Sequence, residues 1–193
     1  MNFPNNIKDY AKLYKNVFTK EFCESTIETL KSAEWNEHQF YNSDKEYIAV
    51  GDDFLHSNQM SQQQEHIDKT IYQVVEQYIM KDHASYYKQF KWFGSWMGTT
   101  GVKFHKYDQG TNMKLHCDHI HDIFDGERQG VPLLSIVGLL NDDYEGGDFL
   151  LWEEEKVLFD QGSVLVFPSN FMYPHEVTTV TKGSRYSFVA WAW

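Results

Sequence analysis

From about residue 90 onward the chain is written in short β-rich runs punctuated by glycine: KWFGSWMGTT, VKFHKY, LLSIVGLL, GGDFLLW, GSVLVF, HEVTTV and SRYSFVAWAW. Runs this short and this closely spaced, rich in branched and aromatic residues and bounded by turn formers, read as strands of a sandwich or barrel. Aromatic residues make up 17% of the chain, which supplies the rings for such a core and separates the sequence from disordered ones.

Upstream the periodicity changes. Ser61 followed by Gln64 fits a capping box, and Ile67, Ile71, Val74, Val75, Tyr78 and Ile79 then recur at helical spacing, so a helix is expected from about 62 to about 82. An earlier helix is expected after Thr19, presenting Phe22, Cys23, Ile27 and Leu30 to the same core and ending before Trp35. The chain thus divides into a helical support over 1–90 and a β-core over 91–193. With no polar or Pro/Gly-rich linker between them, residues 1–193 are expected to form a single domain, long enough to bury a substantial core.

The formal charge of −11 works against a phosphate backbone as partner, because nucleic-acid binding draws on Lys and Arg displacing counterions. The opening MNFPNNIKDY lacks the charged-then-apolar pattern of a secretory signal, and no stretch approaches about 18 uninterrupted apolar residues. A soluble, cytoplasmic and monomeric protein is therefore expected, binding neither nucleic acid nor membrane. Cys23 and Cys117 form no C-x-x-C and are expected to stay reduced.

The densest chemistry lies in HCDH, residues 116 to 119. An H-x-D is weak by itself, and the chain carries its own control: His66 and Asp68 share the spacing but fall inside the expected helix, where residues two apart point to nearly opposite sides. His116 and Asp118 instead end an extended run, MKLHCD, where residues two apart share a face and can converge on one ion. Cys117 then points the other way, without the base and electropositive setting a catalytic thiolate needs. The best-placed third ligand is His175, which opens a strand after Pro174. Two imidazoles and one carboxylate with open positions suit non-haem Fe(II) that must also bind a co-substrate and O2. Ten residues on, Arg185 falls within a strand; a guanidinium inside a β-core requires an anion, which a dicarboxylic co-substrate held by the metal at its other end would supply.

With these residues in place, the stretch from 101 to 193 resembles the 2-oxoglutarate and Fe(II)-dependent dioxygenases, in the branch holding the prolyl hydroxylases. The likeness rests on Tyr107 and Gly110 before His116, GGDFLLW, the GSVLVFPS hairpin and the closing PHEV…SRYSFVAW, while LYKNVFTKEFCESTIETL resembles the family's opening strand and helix. The resemblance implies a double-stranded β-helix, or jelly roll, with supporting α-helices outside its larger sheet. It implies Fe(II) on His116, Asp118 and His175, the distal carboxylate of 2-oxoglutarate on Arg185, and a Tyr107 hydroxyl in the same pocket. Trp191 matches a cavity-lining position, O2 is the second co-substrate, and ascorbate is the expected reductant. The implied reaction hydroxylates a prolyl residue of a protein or peptide and releases succinate and CO2.

Three positions depart from the family's pattern. Met113 stands where collagen-type enzymes carry a substrate-associated tyrosine, and Leu139 where many relatives carry one that contacts 2-oxoglutarate; Trp191 replaces the second arginine of nucleic-acid demethylases. Asp118 separates the chain from halogenating relatives, which vacate that position for chloride. The rival readings are the same chemistry on another residue or a free small molecule, and a non-catalytic β-helix binding module. His38, His56, His66 and His83 read as surface or hydrogen-bonded histidines; His119 and His121 are alternative ligands by spacing alone, but their place in the loop 119–131 reads as surface or lid. His105 shares a strand face with Tyr107, which leaves an approach to the pocket as an alternative to a surface or hydrogen-bonded role.

Overall fold

The computed structural model describes residues 6–41, 47–56, 61–82, 96–118 and 132–193. A short 3-10 turn at Ile7–Tyr10 leads into β1 (Lys12–Tyr14), α1 (Lys20–Lys31), β2 (Asn36–Tyr41), β3 (Tyr47–His56) and α2 (Ser61–Gln77), which ends in a π turn at Tyr78–Asp82. The strands β4 (Lys103–Tyr107), β5 (Met113–His116), β6 (Leu134–Leu139), β7 (Glu145–Gly146) and β8 (Phe149–Leu151) follow. The last five are β9 (Glu155–Lys156), β10 (Val164–Pro168), β11 (His175–Val177), β12 (Val180–Lys182) and β13 (Arg185–Ala192).

A seven-stranded sheet runs β1-β10-β6-β13-β4-β3-β2, faced by a four-stranded sheet β5-β11-β8-β9, with β12 and β7 pairing separately. Strand alternation divides the larger sheet into two chemically distinct faces. On one, Phe104, Ile136, Val164, Val166, Phe188 and Ala190 join the buried residues of the helices. On the other, Val137, Leu165, Phe167 and Val189 meet Met113, Phe149, Leu151 and Val177 of the smaller sheet. The architecture is the expected double-stranded β-helix with helices packed outside its larger sheet.

Both helices form where their apolar residues recur. Thr19 caps α1, its hydroxyl accepting the Phe22 N–H at 3.2 Å, and Cys23, Thr26, Ile27 and Leu30 make the buried stripe. In α2 the buried positions are Ile67, Ile71, Val74 and Val75, continued by Tyr78 and Ile79 in the π turn. Such a stripe can be satisfied only against another apolar face, and the outer face of the larger sheet provides it.

The region expected to be helical over 1–90 also contributes strands. β3 pairs with β4 (Asp53↔Lys106 through His56↔Lys103) and β2 pairs with β3, so the larger sheet extends into the N-terminal half. The run YIAVGDDFLH carries Gly and two Asp, which are poor strand formers; the open edge of β4 overrides that preference by offering unpaired N–H and C=O groups. Conversely, the described part of KWFGSWMGTT contributes only an isolated bridge, Thr99↔Ala192.

Candidate metal centre and anion pocket

His116 ends β5 and His175 opens β11, and the two face one another as paired residues of the smaller sheet. Asp118 lies two residues beyond His116. These three form the cluster of metal-ligating side chains found among the described residues, with one donor atom from each lying within 4.8 Å of the others. Asp118 Oδ1 is 3.6 Å from His116 Nε2 and 3.7 Å from His175 Nε2. Those separations are too long for hydrogen bonds, yet a single ion with bonds of about 2 Å reaches all three atoms.

The backbone sets the tautomer of both imidazoles. His116 Nδ1 lies 2.7 Å from the Lys114 carbonyl and His175 Nδ1 lies 3.0 Å from the Tyr173 carbonyl. A carbonyl only accepts, so each Nδ1 carries the hydrogen and each Nε2 offers its lone pair inward. Burial holds His175 below the ordinary histidine range, with His116 adding to the effect against the opposing pull of Asp118, which favours the neutral, ligating form. Its ring is clamped, stacked on Phe149 at 5.4 Å and edge-on to Phe167 at 5.0 Å.

Burial pushes the Asp118 carboxyl up, but His175, His116 and the Ser135 hydroxyl together outweigh it and hold the group well below the usual carboxylate range. Its second oxygen, Oδ2, accepts from Ser135 Oγ at 2.5 Å and from Trp191 Nε1 at 3.0 Å. Ser135 is a site residue with no place in the motifs above. Its signal was a lone hydroxyl inside the apolar run LLSIVGLL, where a buried polar group must find a partner.

Arg185 is 1% exposed. Its Nη1 donates to Ser187 Oγ at 2.8 Å, and its guanidinium lies 5.2 Å from the centre of the Tyr107 ring, on the neighbouring strand β4. Nε and Nη2 are buried without an acceptor. A buried guanidinium with two idle donors fits a carboxylate ligand. Gly147 makes room for it: the residue has φ +61°, and a Cβ there would sit 3.2 Å from Arg185 Cδ. The donor set thus fits Fe(II), and the orphaned guanidinium fits a carboxylate such as one of 2-oxoglutarate's.

The remaining positions fall as follows. Tyr107 is buried, with its hydroxyl 3.3 Å from Nδ1 of the buried His105, so the two share one face of β4. Met113 and Leu139 are buried apolar residues. Cys117 is half-buried, its Sγ donating to the Phe171 carbonyl at 3.7 Å, and burial raises its thiol above the usual range. His66 packs against Phe22, and Asp68 accepts the Val102 N–H at 3.3 Å; neither belongs to the ligand cluster. His38 meets His105 edge-on at 5.1 Å. His83, His119, His121 and the loop 119–131 lie outside the described residues, as does the side chain of His56.

The family model described as the 2OG-Fe(II) oxygenase superfamily matches residues 102–193. The matched stretch is just under half of the chain. It holds every residue of the metal cluster together with Arg185. A PKHD-type hydroxylase of Paracoccus denitrificans is 30% identical over 95 residues, covering 46% of this chain and 41% of the relative, so the chain spans about two fifths of that relative's length. Among solved oxygenase folds, a prolyl hydroxylase from Trichoplax adhaerens, in complex with a peptide fragment of the hypoxia inducible factor oxygen degradation domain, matches with a TM-score of 0.69 at 18% identity. It covers 96% of this chain and 84% of its own. A Pseudomonas putida prolyl-4-hydroxylase matches with a TM-score of 0.63 at 16% identity, over 95% and 91% of the two chains. These two likenesses establish the fold, down to the N-terminal elements that precede the matched stretch.

Proposed function

We propose that the protein is an Fe(II)- and 2-oxoglutarate-dependent hydroxylase acting on a prolyl residue of a protein or peptide. The observation that carries the reading is the pairing of a three-donor cluster, His116, Asp118 and His175, with a buried Arg185 that has two donors and no acceptor. Each half is incomplete alone, and a metal-binding dicarboxylate completes both. The prolyl substrate draws support from what the relatives are named for, and a peptide partner from the neighbour that holds one. A cytoplasmic, monomeric protein with ascorbate as reductant and no nucleic-acid partner belongs to the same proposal. Among the described residues, no helix is long and apolar enough to cross a membrane.

His116, Asp118 and His175 would hold the iron through Nε2, Oδ1 and Nε2, leaving the other side of the ion open. Arg185 would pair with the distal carboxylate of 2-oxoglutarate, and the Tyr107 hydroxyl would join it. With Leu139 apolar and buried, anion recognition falls on those two. The rings of Phe149 and Phe167 around His175 exclude water from the ligand's flank and fix its orientation. Bound iron and 2-oxoglutarate supply the oxidising power: one oxygen of O2 enters the substrate C–H bond as hydroxyl, the other enters succinate, and CO2 leaves.

Met113 favours a second reading, the same chemistry on a different residue or a free small molecule, because a buried thioether brings no hydroxyl to where collagen-type enzymes place a substrate-associated tyrosine. One assay addresses both. Purified protein with Fe(II), ascorbate and 2-oxoglutarate is expected to form succinate with a proline-containing peptide pool and not with His116→Ala protein. Turnover with metabolite or proline-free pools alone would overturn the prolyl assignment. Absence of succinate above the control in every pool would reduce the protein to a binding module.

A further inference from the structure

Behind Asp118 lies a pair of serines that the proposed chemistry does not itself require. Ser135 in β6 is fully buried and Ser169, just past β10, is 2% exposed. Their hydroxyl oxygens are in contact with each other, and Ser135 Oγ is also 2.5 Å from Asp118 Oδ2. An ionised carboxylate only accepts, so Ser135 must direct its hydrogen to Asp118. The Ser135–Ser169 contact then has one solution: Ser169 donates and Ser135 accepts. The result is a directed chain from Ser169 to Ser135 to Oδ2. The indole N–H of Trp191, which can only donate, meets the same oxygen at 3.0 Å.

We propose that Ser135, oriented by Ser169, is a positioning residue that makes Asp118 a one-oxygen ligand and so keeps three positions of the metal open. Two donors on Oδ2 occupy the lone pairs that a second metal bond would need, while Oδ1 faces the two imidazoles. A carboxylate gripping through both oxygens would take a position that a bidentate co-substrate and O2 require from a six-coordinate ion. The inference rests on the metal-centre reading above, and concerns how the chain shapes that site rather than what it oxidises.

The test uses Mn(II) as a spectroscopic probe on the whole protein, counting exchangeable metal-bound waters by water-proton relaxation and titrating 2-oxoglutarate into the Mn(II) form. The expected result is three waters for the wild type and two for Ser135→Ala, with Mn(II) affinity nearly unchanged and 2-oxoglutarate binding weakened by roughly 10–100-fold. Ser169→Ala, which removes the donor that holds Ser135 from behind, should shift both readouts in the same direction by a smaller amount and carries the test if Ser135→Ala does not fold. Three waters and wild-type 2-oxoglutarate affinity in the folded variants would overturn the positioning role alone. Failure of the wild type to bind Mn(II) in competition with His116→Ala would overturn it together with the metal-centre reading.

Discussion

Arg185 holds a permanent charge at 1% exposure with two of its nitrogens idle, an arrangement that costs free energy in the unliganded protein. The charge is retained in the fold because β13 has neighbours on both sides and cannot turn the side chain outward without losing its register with Tyr107. Replacing it by a neutral side chain of similar length should therefore separate stability from binding. Arg185→Met is expected to melt no lower than the wild type without ligands. It should bind Mn(II) within a few-fold of the wild type and lose about 3 kcal/mol, or ~100-fold, of 2-oxoglutarate affinity. Calorimetric titration of each ligand checks this, and equal loss of both would contradict the anion role.

Among the elements, β6 and β13 carry the closest fit. Gly138 of β6 pairs directly with Phe188 of β13, and a Cβ on Gly138 would lie 2.0 Å from Phe188 Cζ. The ring occupies the space a side chain would take, and it also belongs to the cluster that seats the helices, meeting Phe18 edge-on at 5.7 Å. Gly138→Ala forces the ring to move and should destabilise by about 1–3 kcal/mol, lowering the melting temperature by about 2–4 °C per kcal/mol in a chain of this size. Adding Phe188→Leu should recover part of that loss, since the two sites share one contact. Additive losses in the double variant would show that the glycine serves some other need. The pairing also bears on the site, because the same register puts Ser135 opposite Trp191, the two donors to Asp118.

For the molecule as a whole, the buried histidines on the larger sheet set a dependence on pH. Burial, reinforced by Lys103 and His116, pushes His38 down to about 4. Burial likewise holds His105 well below the usual value, helped by His38, Lys103 and Arg185 against Asp118. Both rings are thus neutral in the fold, while an unfolded chain protonates them near their ordinary value of 6.5. The unfolded state then binds the extra protons, so stability is full above about pH 6.5 and falls as pH drops from there toward 4, by ~1.4 kcal/mol per pH unit for each ring. Denaturant unfolding at pH 7.5, 6 and 5 should show this decline, and His105→Gln should flatten it. An unchanged slope in that variant would mean the ring is charged in the fold.

The sequence by itself determined the local periods and the chemistry of the separate residues. Short runs of branched and aromatic residues bounded by glycine specified most of the strands, the i, i+4, i+7 pattern specified α1 and α2, and the extended stretch ending at His116 set that residue apart from the helical pair His66 and Asp68, although β5 stops there and Asp118 lies two residues past it. These features were legible because each depends on neighbours within a few residues. The tertiary structure decided what depends on partners far along the chain. β2 and β3 joined the larger sheet because the edge of β4 needed pairing, against the propensity of Gly51, Asp52 and Asp53. Ser135 became a donor to Asp118 only when β6 and the end of β5 were brought together, a contact spanning 17 positions. The facing of His116 and His175 across two strands has the same origin. A hydrogen bond or a metal site is a relation between positions in space, and the sequence specifies the atoms that can make it while the packing of the sheets specifies which ones do.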